Sequence, residues 1–342
     1  MTAALVVTAP GLHTTVQDLG RFGYQALGVP VAGAIDPVAL RLTNSLVGNP
    51  QATAALEFLY AGPTLEVAAT AVRVAAANAE IEIRGPVPAV IPPWQSVRLE
   101  RGDTIRVGAP IGSACGYLAV EGGLGLPPVL GSRSTYCRSA IGGLDGRALA
   151  AGDHLPLAQD AVDRRGELQF GAAPDMTPPE RLRVVLGPQE THFTDEALKT
   201  FLGAAFRVSK QADRMGLRLD GPELEHRDGY NIVSDGIVTG SIQVPGSGQA
   251  IVLLADHHTT GGYPKIATVI SADLPAAGRL MPGDPIRFVA VSVDAAEDAA
   301  RQLEKTIADH VADMVPAGQA RSLDETALYG DNLVSGVISA ME

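Results

Sequence analysis

Cysteine is nearly missing from this 342-residue chain, which has two, Cys115 and Cys137. Two thiols make no disulfide framework, and without a CxxC or histidines at zinc spacing they exclude a structural zinc site. Both are expected as buried, chemically silent thiols. Charge is sparse at 19% and one-sided, with 26 Lys+Arg against 38 Asp+Glu and a formal net charge of −12. No basic run or basic face can be assembled, which argues against a nucleic-acid or anionic-membrane surface. No apolar run approaches the roughly 20 residues that span a bilayer. The opening MTAALVVTAPGLHTTVQ lacks the basic and apolar regions of a signal peptide. A cytoplasmic protein that works on small molecules or other proteins is expected. Also missing are a GxxxxGK loop followed by Ser or Thr, a GxGxxG after a strand, a GxSxG elbow and a biotin-attachment tetrapeptide around a lysine. If ATP or biotin is used, this chain does not announce it.

What is present is apolar and finely punctuated. At 46% hydrophobic residues the chain can bury sizeable cores, and its length suits two domains. TLEVAA, AEIEIRG, SVRLE, TIRVG, RLRVVLG, GSIQV, AIVLLA, IATVIS and IRFVAV are short runs, often alternating, that suit strands. With 38 Gly and 24 Pro between them the fold is expected to be mainly β. One pattern recurs three times, as Leu99-x-x-Gly102-Asp103-x-Ile105, Leu149-x-x-Gly152-Asp153-x-Leu155 and Leu280-x-x-Gly283-Asp284-x-Ile286. It predicts a reused corner leading into a strand. Few helices are expected: one capped by Asp36 with Pro37 at its first position and Gly48 as stop, one starting at Thr194 and ending at Gly203, and a long amphipathic one from residue 292. The predicted domains are 1–175, 180–291 and a C-terminal helix and tail over 292–342, with the boundary in GAAPDMTPPE.

Three polar clusters carry chemistry. In DHHTTGGYPK, Asp256 to Lys265, the adjacent His257 and His258 would point to opposite faces of a strand, so no metal is expected. Thr259, Thr260 and the Gly261–Gly262 backbone could cradle an anion with Lys265 as counter-charge, or simply form a bend into the next strand. IQVPGSGQAIVLLAD reads as a hairpin that sets Gln243 beside Ala250 and carries Asp256 beyond it. SKQADRMGLRLDG places Asp213 and Arg214 before a glycine; Arg214 could clamp a planar carboxylate or carbamate, or form an ion pair. TTVQDLGRFGYQALGVPVAGAIDP interleaves Asp18, Arg21 and Asp36 with closely spaced glycines.

Together, PGLHTTVQDLGRFGYQALGVPVAGAIDP, SKQADRMGLRLDGPEL and SDGIVTGSIQVPGSGQAIVLLADHHTTGGYPKIATVISADL resemble the biotin-dependent carboxyltransferase family, also called the allophanate hydrolase subunit 2 family, with its 5-oxoprolinase and KipA-like members. The resemblance runs from about residue 5 to residue 290. It implies two cyclophilin-like β-barrel domains with a few short helices and a C-terminal helix. It implies work beside a partner resembling allophanate hydrolase subunit 1 (KipI-like) and a LamB/YcsF-like protein, the assembly using ATP with Mg to open 5-oxoproline to glutamate. Two alternatives stay open: the carboxyltransferase part of a urea-type carboxylase, where biotin enters, and a KipA-like regulator that binds a KipI-like protein. The shared motifs contain Asp18, Arg21, Asp213 to Gly216, and Gln243 through Lys265. The implied roles are charge stabilisation by Lys265 and the Thr259 to Gly262 backbone next to Tyr263, orientation of an amide by Asp256 and Gln243, and carboxylate anchoring by Arg214. DHHTTGG departs from the family form, in which glutamine often stands at the position of His258, so the two histidines receive no role.

Overall fold

The computed structural model describes residues 3–85 and 87–318. The N-terminal half consists of two antiparallel sheets packed face to face. Six strands run in the order His154–Pro156, Ala4–Ala9, Thr64–Val67, Thr104–Val107, Ile81–Arg84, Ala89–Ile91; five run in the order His13–Gln17, Ala55–Leu59, Cys115–Val120, Ala71–Ala77, Ser96–Glu100. Leu5, Val7, Leu56, Phe58, Leu65, Ile81, Ile105 and Leu118 fill the space between the sheets. Strand Ala71–Ala77 illustrates the period-two rule: Val72, Val74 and Ala76 join that core, whereas Ala75 and Ala77 turn to the opposite face. There helix α1 (Pro37–Leu46) lies on the sheet, and the small alanines let it approach.

The C-terminal half is a closed seven-stranded barrel in the order Arg181–Leu186, Lys265–Val269, Ser241–Gln243, Ile251–Leu253, Gly216–Asp220, Phe206–Val208, Pro285–Ala290. The first and last strands pair in parallel to close it. Closure leaves no bare edge in the ring. Helix α2 (Asp195–Gly203) brings Phe201 onto Phe288 and Phe206 in the barrel core.

The three Gly-Asp corners adopt one geometry. Gly102, Gly152 and Gly283 have φ of 89°, 91° and 98°. Each donates its N–H to a strand valine carbonyl, of Val67, Val7 and Val208 respectively. The following carboxylate accepts the amide three residues back, Glu100 at 2.8 Å, Ala150 at 2.7 Å and Met281 at 2.8 Å.

Helix α1 starts as its sequence predicts, Asp36 Oδ1 accepting the amides of Val38 and Ala39 at 3.0 Å each. Thr194 caps α2 through the Ala197 amide. A six-residue helix α3 (Leu274–Arg279) is one the sequence does not announce; its proline-started ADLPAAG run is too short to give a periodic pattern. Helix α4 (Val293–Ala312) returns to the N-terminal half, where Leu303, Ile307 and Val311 join the α1 face. The segment expected as a terminal appendage lies outside the described residues from 319 onward. No helix is long and apolar enough to cross a membrane among the described residues.

Two expectations are corrected. Cys115 is buried, but Cys137 is exposed, because it opens a one-turn 3-10 segment over Cys137–Ser139 at the surface. Gln243 faces Ile251 and not Ala250. The Val244 amide bonds the carbonyl of Pro264, just before the neighbouring strand, and the hairpin loop takes one more residue on its far side.

Candidate functional site

A carboxylate in the middle of the apolar strand Ala55–Leu59 requires a partner, because an uncompensated buried charge is costly. The partner of Glu57 comes from the other half. Arg214 Nη1 donates to Glu57 Oε1, its Nε and Nη2 donate to Asp256 Oδ2 and Oδ1 at 2.9 and 3.0 Å, and Nη2 also donates to the Gly33 carbonyl at 2.6 Å. Burial opposes the charge on Arg214, but Asp256 and Glu57 outweigh it and the guanidinium is held above its ordinary range. Glu57 Oε2 accepts Tyr117 Oη at 2.5 Å and the Ile35 amide at 2.8 Å. Burial, then the Glu57 charge, keep Tyr117 a phenol well past its usual range, so it remains a donor. Next to this cluster Asp36 Oδ2 accepts Arg279 Nη1 at 2.8 Å, a second ionic tie between the halves.

The expected role of Arg214 as a clamp for an external carboxylate is therefore corrected. Its fork is taken by Asp256, and bidentate geometry cannot be shared. Asp213 is exposed and fixes the turn by accepting the Met215 amide at 2.8 Å. Asp18 is saturated by Ser132 Oγ, Ser134 Oγ and the amides of Arg133 and Gly20. It anchors the glycine-rich loop. Arg21, 1% exposed, donates Nη2 to the Ser134 carbonyl, while Nε and Nη1 have no partner among the described residues. Burial lowers its pKa against the pull of Asp18 and Asp256.

Between the halves lies a cavity of about 240 Å³, with His13, Tyr60, Cys137 and Arg138 on one wall and Arg214 and Asp256 on the other. Arg138 is exposed there. Cys137 feels burial first and then Asp256, which push its thiol up, and Arg214, which opposes them.

Lys265 and Gln243 form a second cluster on the barrel. They are cross-strand neighbours. Lys265, 2% exposed, gives Nζ to Asp235 Oδ2 at 2.8 Å and to the Gly236 carbonyl at 3.2 Å. Gln243 is equally buried, and its Nε2 has no partner among the described residues. Gly261 is closely approached by side chains: a Cβ there would sit 2.7 Å from Gln243 Nε2 and 3.1 Å from His258 Nε2. Its strand, Thr260–Gly261, pairs with Asp235–Gly236, while the Thr259 carbonyl accepts the Ile237 amide. Tyr263 is half-exposed beyond Gly262. Lys265 does not pair with Asp256, which shares its DHHTTGGYPK segment; each is neutralised by a different residue. His258 lies against Gly261, and its imidazole is held below its ordinary range by burial and then by Arg138 of the opposite half. His257 is buried, its ring nitrogens engaging the His258 carbonyl and Thr239 Oγ1. Among the described residues no group of three or more His, Cys, Asp or Glu is placed to hold a metal.

Sequence reasoning missed Glu57, Tyr117, Arg138 and Asp235. Only Glu57 left a signal, as a charge inside an apolar strand.

A family model for a carboxyltransferase domain, subdomains A and B, matches residues 27–290. The chain is 36% identical over 301 residues to a 5-oxoprolinase subunit of Escherichia coli, covering 88% of this chain and 96% of that one. It is 37% identical over 292 residues to the corresponding 5-oxoprolinase subunit of Haemophilus influenzae, covering 85% and 93%. It superimposes on the solved urea amidolyase of K. lactis with a TM-score of 0.80 at 30% identity, covering 90% of this chain but only 20% of that much longer one. With its two β halves joined across Glu57, Arg214 and Asp256, the chain belongs to the carboxyltransferase domain family, subdomains A and B.

Proposed function

We propose that this chain is a subunit of a 5-oxoprolinase, one component of an ATP-dependent complex that opens the lactam of 5-oxo-L-proline to L-glutamate. The observation that carries the reading is the end-to-end match, which covers nearly all of both 5-oxoprolinase relatives and most of this chain. The cleft between the halves suits a small ring bearing one amide and one carboxylate. Asp256, held rigid by two bonds from Arg214, keeps lone pairs for a lactam N–H. Arg138, exposed on the facing wall, takes the substrate carboxylate, and Arg21 adds positive potential behind Asp256. As water adds to the lactam carbon and the C–N bond breaks, charge develops on the lactam oxygen and the nitrogen leaves as an amine that takes a proton. Gln243, the Thr259 to Gly262 backbone and Lys265, once Asp235 releases it, are the donors we assign to that oxygen.

A triphosphate does not fit this cleft. It needs several free cations beside backbone amides, whereas Arg214, the cation on the barrel wall of this cleft, is committed to Glu57 and Asp256. ATP with Mg is therefore handled by a partner, either the allophanate hydrolase subunit 1-like (KipI-like) or the LamB/YcsF-like protein. The test is to combine the purified chain with both and measure 5-oxoproline-dependent ATP hydrolysis. No turnover with every partner present overturns the reading, and binding to the KipI-like protein without turnover favours the regulatory alternative.

The fold match to a urea amidolyase supports a second reading, carboxyl transfer from biotin. The cyclic urea of biotin presents the same amide edge to Asp256. Carboxyl transfer to urea from a carboxylated biotin carrier would select it.

A further inference from the structure

The counter-ion of Lys265 is misplaced for a purely structural ion pair. Lys265 is almost completely buried at the mouth of the barrel, yet Asp235 has a side chain 52% exposed. Asp235 Oδ2 receives both Lys265 Nζ at 2.8 Å and Gln189 Nε2 at 3.2 Å, and Oδ1 receives its neighbour's amide, Gly236, at 2.8 Å. The Gln189 side chain also accepts the Lys265 amide at 3.1 Å, which fixes the two donors relative to each other. Two donors from separate elements thus converge on one carboxylate oxygen. Asp235 lines an open concavity of about 570 Å³ together with Gln189, His192, Asn231 and Ser234. The buried Gln243, cross-strand neighbour of Lys265, has an Nε2 with no partner among the described residues.

We propose that Lys265 and Gln189 form an oxyanion receptor for a ligand carboxylate or phosphate, and that Asp235 is its built-in, displaceable occupant. A half-exposed aspartate can rotate into water without disturbing the Asp235–Gly236 ladder to Thr260–Gly261, because only its side chain has to move. The arriving ligand oxygen then takes Lys265 Nζ and Gln189 Nε2. Until it arrives, the ammonium is not left buried and unpaired, which would be costly. The lowered pKa of Asp235, due first to its bond from Lys265, agrees with a carboxylate that is ionised and held. The inference rests on Lys265 as a ligand-facing cation in the function proposed above. Its test reads lysine chemistry and not turnover, so it can fail while the 5-oxoproline reading stands.

The chain contains four lysines; Lys199, Lys210 and Lys305 are exposed and serve as internal references. Acetylation of the full chain, followed by peptide mass spectrometry, should label Lys265 far more slowly than these three. Asp235→Asn should raise the Lys265 rate about tenfold, in keeping with the loss of one charge-assisted contact. Adding acetate or inorganic phosphate to that variant should restore protection, and whichever anion acts at lower concentration identifies the ligand chemistry. An unchanged Lys265 rate in a folded Asp235→Asn chain overturns the proposal, as does a fast rate that neither anion slows. Should the variant not fold, amide exchange at Gly236 in the unsubstituted chain decides. It should quicken with either anion as Asp235 Oδ1 swings away, and no response to both overturns the proposal.

Discussion

Arg214 grips Asp256 with two parallel hydrogen bonds while its third nitrogen reaches Glu57 in the opposite half of the molecule. One guanidinium therefore neutralises carboxylates from both halves of the molecule. Arg214→Lys keeps the charge but cannot reproduce the fork. The buried carboxylate left unpaired should cost about 3 kcal/mol. A lower midpoint in urea with loss of 5-oxoproline turnover is the expected result; a lysine variant as stable as the parent would mean that water already reaches the cluster.

The interface is also held by shape. Gly278 in α3 lies so close to Ile35 that a Cβ would sit 2.3 Å from Ile35 Cγ2, whereas nothing lies within 4 Å of a Cβ at Gly283. Gly278→Ala should push the halves apart and remove activity. Gly283→Ala, with room but φ of 98°, should cost only the backbone strain of about 1 to 2 kcal/mol and leave the KM for substrate unaltered. Thermal unfolding and kinetics of the two variants side by side separate packing from strain.

Acid should weaken the fold in a defined window. Burial is the first cause lowering both His257 and His258 below 6.5, with the His258 charge also acting on His257 and Arg138 on His258, while the His258 carbonyl and Asp256 pull His257 back. A depressed histidine means that the unfolded chain binds more protons than the folded one as pH falls through about 6.5. Stability is complete above that value and is lost progressively below it. Denaturant midpoints at pH 7.5 and 5.5 should differ, and the difference should shrink in His257→Gln/His258→Gln. An equal drop in that double variant would assign the acid sensitivity to other groups.

Much of this architecture can be read from residues that act locally. Asp36-Pro37 and Thr194 announce helix starts because capping involves amides two or three residues away, and the three Gly-Asp corners repeat because each closes on its own preceding amide. The cleft could not be read in this way. Glu57 meets Arg214 across 157 residues, and Lys265 meets Asp235 across 30. Nearness in sequence did not bring Asp256 and Lys265 together, because Asp256 lies in the turn after Ile251–Leu253 and Lys265 opens the strand Lys265–Val269, each facing its own partner. Resemblance to a family located the motifs, but which donor meets which acceptor is decided by strand register, and a single extra hairpin residue moved Gln243 from Ala250 to Ile251.

Arg138 should matter to substrate capture more than to folding. It is exposed at the cleft, so Arg138→Gln removes no buried partner. The KM for 5-oxoproline should rise about tenfold, the scale of one charge-assisted contact, with the melting temperature unchanged. 2-Pyrrolidinone, which has the lactam but no carboxylate, should bind parent and variant alike. Equal loss for both ligands would place Arg138 elsewhere than at the carboxylate.

Cys137 offers a direct report on occupancy of the cleft. It is exposed while Cys115 is buried, and burial together with Asp256 disfavours its thiolate. Since the thiolate is the reacting species, alkylation by iodoacetamide should be slow at pH 7, accelerate as the solution is made alkaline, and fall on Cys137 before Cys115. A bound lactam between Cys137 and Asp256 covers the sulfur, so saturating 5-oxoproline should slow the reaction, and proline, whose ring lacks the amide, should not. If alkylation of Cys137 runs at the same rate with and without 5-oxoproline while turnover of the assembled complex is normal, the substrate binds away from this wall and Asp256 loses its place beside the lactam N–H.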